Sequence, residues 1–246
     1  VIILYSMKPI IIFLLLCIST TLFSQNISGK ITYVVSMEAY TKEKIDSVTK
    51  SFKKKKIKMG KWMRNIFENT PNVNAYLEFS NDESLYYVED EMQNDGKPVF
   101  NVNRTFAGGE DRYYKNIKTK DFYHESDVFD ELSLIEIPIK KWKITQESKI
   151  IGGYLCYKAI DLSYKSNSTF AWFTPEISVS FGPKKFVDLP GLVLEVQLKR
   201  RKIIASKIIL NPKEEININK PTKGKRVTAE EAKKRYSNFW NSLQKQ

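Results

Sequence analysis

The sequence predicts an α+β domain built on a mostly antiparallel, curved β-sheet or open barrel, with a long helix after the first strand and a second helix at the C-terminus. Apolar residues recur at alternate positions in several segments, as in Ile31, Tyr33, Val35, Met37 and again in Leu192, Leu194, Val196, Leu198. This is the spacing of strands with one buried face. Two other segments change to a spacing of three and four, which marks amphipathic helices. The 42% hydrophobic and 13% aromatic content over 246 residues, with only 9 Pro and 10 Gly, is enough for the core of one domain and excludes a disordered or collagenous chain.

Residues 1–24 read as a leader rather than as part of that fold. Met7, Lys8 and Pro9 precede the apolar run Ile10 to Cys17, and Ser24 stands before Gln25. A short positive end, an apolar stretch and a small residue before a polar one make a secretory signal peptide. The run is shorter than the roughly 20 residues that span a bilayer. Translation is expected to start at Met7 and the mature chain, a single domain over 25–246, at Gln25. Export places the protein in the periplasm, at the outer-membrane periphery or outside the cell. With Cys17 removed, Cys156 is the remaining thiol; its flank Tyr154-Leu155-Cys156-Tyr157-Lys158 reads as a strand, so it is taken as a small buried hydrophobe rather than a nucleophile.

The first strand covers Lys30 to Met37. Ile45, Val48, Phe52, Met59, Met63 and Ile66 then recur at three, four or seven residues and predict helix over 42–68, interrupted by Lys53 to Lys56, of which Lys55 and Lys56 fall on the apolar stripe and must snorkel. After Pro71, Ala75, Leu77 and Phe79 share one face, Asn81-Asp82 turns the chain, and Leu85 and Tyr87 return it as a hairpin. From Val99 to Phe129 the aromatics and Gly108-Gly109 suggest short antiparallel strands. The lone histidine, His124, stands beside Glu125, Asp127, Asp130 and Glu131; one imidazole among acids is a weak metal signal, and a solvated turn is the preferred reading.

Further strands are predicted at Lys141 to Thr145, Tyr154 to Tyr164 and Ser168 to Phe173, then Leu192 to Leu198 and Ile203 to Leu210 around a basic tip, Lys199 to Lys202. Asn211 to Gly224 reads as a polar connector with two prolines. Thr228 and Glu231 form a capping box, and Ala232, Tyr236, Phe239, Trp240 and Leu243 give the following helix its apolar face.

Trp142-Lys143-Ile144, Gly152-Gly153-Tyr154-Leu155-Cys156, Ala171-Trp172-Phe173-Thr174-Pro175-Glu176, Phe181-Gly182-Pro183 and Leu189-Pro190-Gly191-Leu192-Val193 occur in one order. Together they resemble the GLPGLI family of small exported proteins of diderm bacteria. The chain departs from the name string at Asp188, where the family has Gly, and at Val193, where it has Ile. The resemblance implies location and fold more than chemistry.

Pro190 fixes φ and Gly191 accepts a positive φ, so Leu189 to Leu192 suits a type II turn launching the next strand. Pro175 ends the preceding one. The intervening loop, 176–189, has a length usual for functional or self-packed segments. As a binding surface it would present Trp172, Glu176, Phe181, Lys184, Lys185 and Asp188; as a structural corner it would plug one end of the sheet, which is the preferred reading because turn chemistry accounts for its Pro and Gly.

No catalytic, metal or cofactor set emerges from a chain with one His and two Cys. The leading expectation is a non-catalytic binding or assembly module whose partner is an envelope protein, peptide, lipid or glycan. Two alternatives stand beside it. One is a secreted hydrolase using a carboxylate pair, Glu176 with Asp188 or Glu195. The other is an electrostatic binder of anionic envelope surfaces through the basic runs at 53–56, 199–202 and 223–226, part of a net charge of +12; nucleic acid is not expected.

Overall fold

Alternation of apolar and polar residues, with little helix-forming periodicity, leaves the chain one way to bury its aromatic side chains, which is to pair strands. A computed structural model describes residues 27–38, 41–54, 70–89, 101–127, 131–164 and 169–243. Among these it shows one open, mixed and largely antiparallel sheet of twelve strands with three short helices. In chain order the elements are β1 (Ser28–Met37), α1 (Lys42–Lys54), β2 (Val73–Ser80), β3 (Glu83–Val88), α2 (Val102–Ala107), β4 (Arg112–Asn116), β5 (Phe122–Ser126), β6 (Ser133–Glu136), β7 (Trp142–Ile151), β8 (Tyr154–Asp161), β9 (Thr169–Thr174), β10 (Leu192–Leu198), β11 (Arg201–Leu210), β12 (Lys225–Val227) and α3 (Ala229–Leu243).

The strand order is β12-β6-β5-β4-β3-β2-β1-β11-β10-β9-β8-β7. Two meanders of sequential strands, β1 to β6 and β7 to β11, are therefore joined by a single long-range antiparallel seam between β1 and β11. β12 adds to β6 in parallel. Strand twist accumulates at roughly 20–25° per step, so a sheet of this width has to curl, and open twisted sheets seldom exceed about ten strands without doing so.

The segment between β9 and β10 fills the curl. Phe181 stacks obliquely on Phe79 at 5.8 Å, and Ile177, Phe181, Phe186 and Leu189 are buried with Ile31, Tyr33 and Leu77 of the sheet. The Tyr33 hydroxyl donates to the Val193 carbonyl at 2.6 Å, and the Tyr86 hydroxyl to the Ala107 carbonyl of α2 at 3.0 Å. These bonds satisfy the polar tips of two fully buried rings.

Several expectations are corrected. Residues 102–107 form α2 where strands were expected, because Asn101 accepts from the Asn103 and Arg104 amides as an N-cap and Gly108 ends the turn with φ 135°. β6 and β12 had no sequence signal, being four and three residues long. The expected hairpin of β2 and β3 is present, and its register sets Tyr86 opposite Leu77 and Val88 opposite Ala75. Leu85 instead packs on the opposite side with Tyr114, Tyr123 and Leu134, where Ile218 of the 211–224 connector covers it. That connector is thus a strap, pinned where Tyr123 donates to the Pro221 carbonyl at 2.8 Å and where Lys220 meets Asp121 at 3.1 Å.

The first helix is seen over Lys42–Lys54; its expected continuation to residue 68, with Met59, Met63 and Ile66, lies outside the described residues, as do the leader and the Ser166-Asn167 turn. α3 begins as expected: the Thr228 hydroxyl accepts from the Glu231 amide at 3.2 Å while the Glu231 carboxylate accepts from the Thr228 amide at 3.1 Å. The side chains of Phe239, Trp240 and Leu243 lie outside the described residues.

Candidate functional site

Register places the site. Leu77, Tyr86, Tyr113, His124, Ile135 and Val227 face one another in a single cross-strand row over β2, β3, β4, β5, β6 and β12. His124 therefore stands in a strand, on the concave face, and not in the solvated turn expected for it. Its ring stacks on Tyr113 at 5.1 Å with 19° between planes. No group of three or more metal-binding side chains occurs among the described residues.

Over the Tyr113, His124 and Ile135 part of this row is a recess of about 580 Å³. Its walls are Tyr113, His124, Ile135, Ile137 and Pro138 from the sheet side and Ala229, Ala232 and Tyr236 from α3, with Lys184 and Lys185 reaching in from the β9–β10 loop. A neighbouring groove of about 690 Å³ lies across the shared segment Glu136 to Pro138 and holds the ion pair of Lys115 with Asp188 at 2.7 Å.

Lys184 adopts a left-handed backbone conformation, φ 54°, which is unfavourable for a residue with a Cβ. Its ammonium holds the loop there. It donates to the Phe106 carbonyl at 2.7 Å and lies over the rings of Phe106 and Tyr113 at 5.6 and 5.5 Å. Burial, followed by the charge of Lys185, pulls this lysine down to about 8, while Asp111 works in the other direction. His124 is held down to about 4 by burial and by the charges of Lys184 and Lys185, so the imidazole is neutral at neutral pH. Its Nδ1 is buried without a partner, and its Nε2 lies 3.8 Å from Asp111, beyond hydrogen-bonding distance. Asp111 is raised, chiefly by its own burial.

The six residues expected to form a binding surface divide among several places. Lys184 and Lys185 line the recess, and Asp188 lines the adjoining groove. Phe181 is fully buried and Trp172 nearly so, so neither presents a surface; the Lys149 ammonium covers the Trp172 ring at 4.4 Å. Glu176 is exposed and accepts from the Leu155 amide at 2.8 Å. The carboxylates named for hydrolysis are each committed elsewhere, Glu176 to that amide, Asp188 to Lys115 and Glu195 to Lys149 at 2.7 Å. Cys156 is completely buried in β8, with its thiol pushed up to about 11 by that burial.

Residues 189–192 make a tighter corner than the type II turn expected. The Gly191 amide donates to the Leu189 carbonyl at 2.8 Å, while the Leu192 amide turns to Ile177 at 3.1 Å. This is a three-residue turn centred on Pro190. Gly191 is required twice over: its φ is 151°, and a Cβ there would lie 2.0 Å from the Thr174 carbonyl oxygen. Asp188 has φ 66°, a position that suits glycine, and its carboxylate is anchored by Lys115.

Asp111 and Tyr113 were not singled out from the sequence as site residues, and Tyr236 was read only as part of the apolar face of the C-terminal helix. The acids after His124 concealed the strand, although Arg112 to Lys115 against Phe122 to Glu125 is the alternating pattern of the hairpin that contains it.

A family described as "Protein of unknown function (Porph_ging)" matches residues 162–195, the stretch from the end of β8 through β9 and the packed loop into β10. No curated protein matches the chain. Among solved structures, PNGF-II in its P21 crystal form is similar with a TM-score of 0.49 and 18% identity, over 85% of this chain and 32% of that one. PNGF-II in its C2 form is similar with a TM-score of 0.50 and 16% identity over the same shares. The chain spans about a third of the length of those structures, and the likeness to the C2 form is one of fold alone.

Proposed function

We propose that the chain is an exported, GLPGLI-type binding module of the cell envelope, and that its ligand enters the recess between the sheet, the β9–β10 loop and α3. One observation carries this reading: an apolar recess of about 580 Å³ is walled by the sheet and α3, with two lysines of the loop in its lining. That volume is in the ordinary range for small-molecule sites, which are mostly apolar with a few placed polar groups. The signal-peptide pattern of residues 1–24 supports export, and the ordered motifs from Trp142 to Val193 support the GLPGLI reading.

A neutral apolar fluorophore such as N-phenyl-1-naphthylamine tests the recess. Saturable binding is expected in the native chain, and Ala229→Trp, at the mouth of the recess, should abolish it while the near-UV circular dichroism of the core is retained. Undiminished binding in that variant would remove the recess from consideration.

A further inference from the structure

We infer that the recess selects an amphipathic monoanion, a carboxylate carried on an apolar alkyl or aryl body. This rests on the reading of the recess as a ligand site and adds the ligand's chemistry. Ile135, Ile137, Pro138 and Tyr236 form walls on which a hydrocarbon body can be buried. The cations that line the recess are not equivalent. Lys184 is committed, by its bond to the Phe106 carbonyl and by Asp111 behind it. Lys185 is partly buried and, among the described residues, has no hydrogen-bond or ion-pair partner. It repels both of its neighbours, lowering Lys184 and His124 together. A half-buried ammonium without a bonded counter-ion is stabilised by an incoming anion.

The same inventory limits the ligand to one charge. Lys184, Lys185 and Lys233 stand in the lining against Glu136 and Glu230, an excess of one positive charge, and His124 is neutral. A phosphate dianion would exceed that single positive charge and meet two carboxylates of the lining. A carboxylate needs only Lys185. A cation would face Lys184 and Lys185 at close range, and a neutral analogue would gain the walls but leave Lys185 unmatched.

Calorimetric titration of the full chain with octanoate, 1-octanol, octylammonium and inorganic phosphate separates these cases. Octanoate is expected to bind about tenfold or more tightly than octanol, a ratio worth one well-placed charge interaction, with octylammonium and phosphate not binding. Lys185→Gln should bring octanoate down to the affinity of octanol and leave octanol unchanged. Equal affinity for octanoate and octanol in the native chain, or octanoate binding indifferent to Lys185→Gln, overturns the charge selection while leaving the recess as an apolar site. Phosphate binding as tightly as octanoate overturns the requirement for an apolar body. If no probe binds, this inference and the recess reading fail together.

Discussion

At the scale of single residues, the groups that shape the recess are those held in uncomfortable states. His124 is a buried imidazole kept neutral, with a folded value near 4 against the usual 6.5. Between those values the unfolded chain binds a proton that the folded chain does not, so stability falls as pH is lowered from about 6.5 to 4 and the loss is complete below 4. His124→Asn should flatten that part of the profile, measured as the urea midpoint from pH 7 to pH 4; an unchanged slope would refute the assignment. Asp188 presents a different case. Lys115 is only 7% exposed, and removing its partner leaves a nearly buried ammonium unpaired. Asp188→Ala should therefore destabilise the fold by about 3 kcal/mol, and adding Lys115→Met should recover much of it. Additive losses in the double variant would show that the pair does not couple.

At the scale of elements, the clearest strand patterns were those with one open face. β1 and β2 were legible because Ile31, Tyr33 and Val35, and Ala75, Leu77 and Phe79, alternate with less buried residues; β10 was legible from its apolar run, although Val193 and Glu195 between Leu192, Leu194 and Val196 are buried as well. The hairpin of β2 and β3 was legible too, although both faces of β3 are covered, one by the core and one by the strap, so alternation there does not distinguish inside from outside. His124 was placed in a turn because local charge density was read without the strand that pairs with it. The β9–β10 corner was legible in its residues and not in its geometry: Pro190 and Gly191 do turn the chain, but the closeness of Thr174, invisible in sequence, dictates the tighter form. Gly191→Ala puts a Cβ against that carbonyl at a positive φ and should cost more than about 2 kcal/mol by chemical denaturation. Thr228→Ala removes the cap of α3 and should cost about 1 kcal/mol, weakening fluorophore binding because the helix is one wall of the recess.

At the scale of the whole molecule, part of the positive charge is engaged within the fold's own surface. Lys115, Lys140, Lys149, Lys158, Lys220 and Arg226 each lie over an aromatic ring, and each also meets a carboxylate. Of the basic runs, 199–202 ends the β10–β11 hairpin and 223–226 leads into β12 at the sheet's edge; the run at 53–56 has no described side chains. The strap between them is a cover as much as a connection. A chain ending at Asn211 would bare Leu85, Tyr114, Tyr123 and Leu134 on the convex side. It should self-associate on size-exclusion chromatography where the full chain does not, since a contiguous apolar patch of that kind seeks a partner. A monodisperse truncated chain would show that the strap is dispensable.

The seam between β1 and β11 bears on how the protein comes into being. Each meander is made of neighbours in sequence and can zip up as it emerges, but the seam pairs Lys30 with Ile209. Loop closure over such a separation is slow compared with forming a local hairpin. The two wings can thus form early and independently, and joining them waits until almost the whole chain has been delivered.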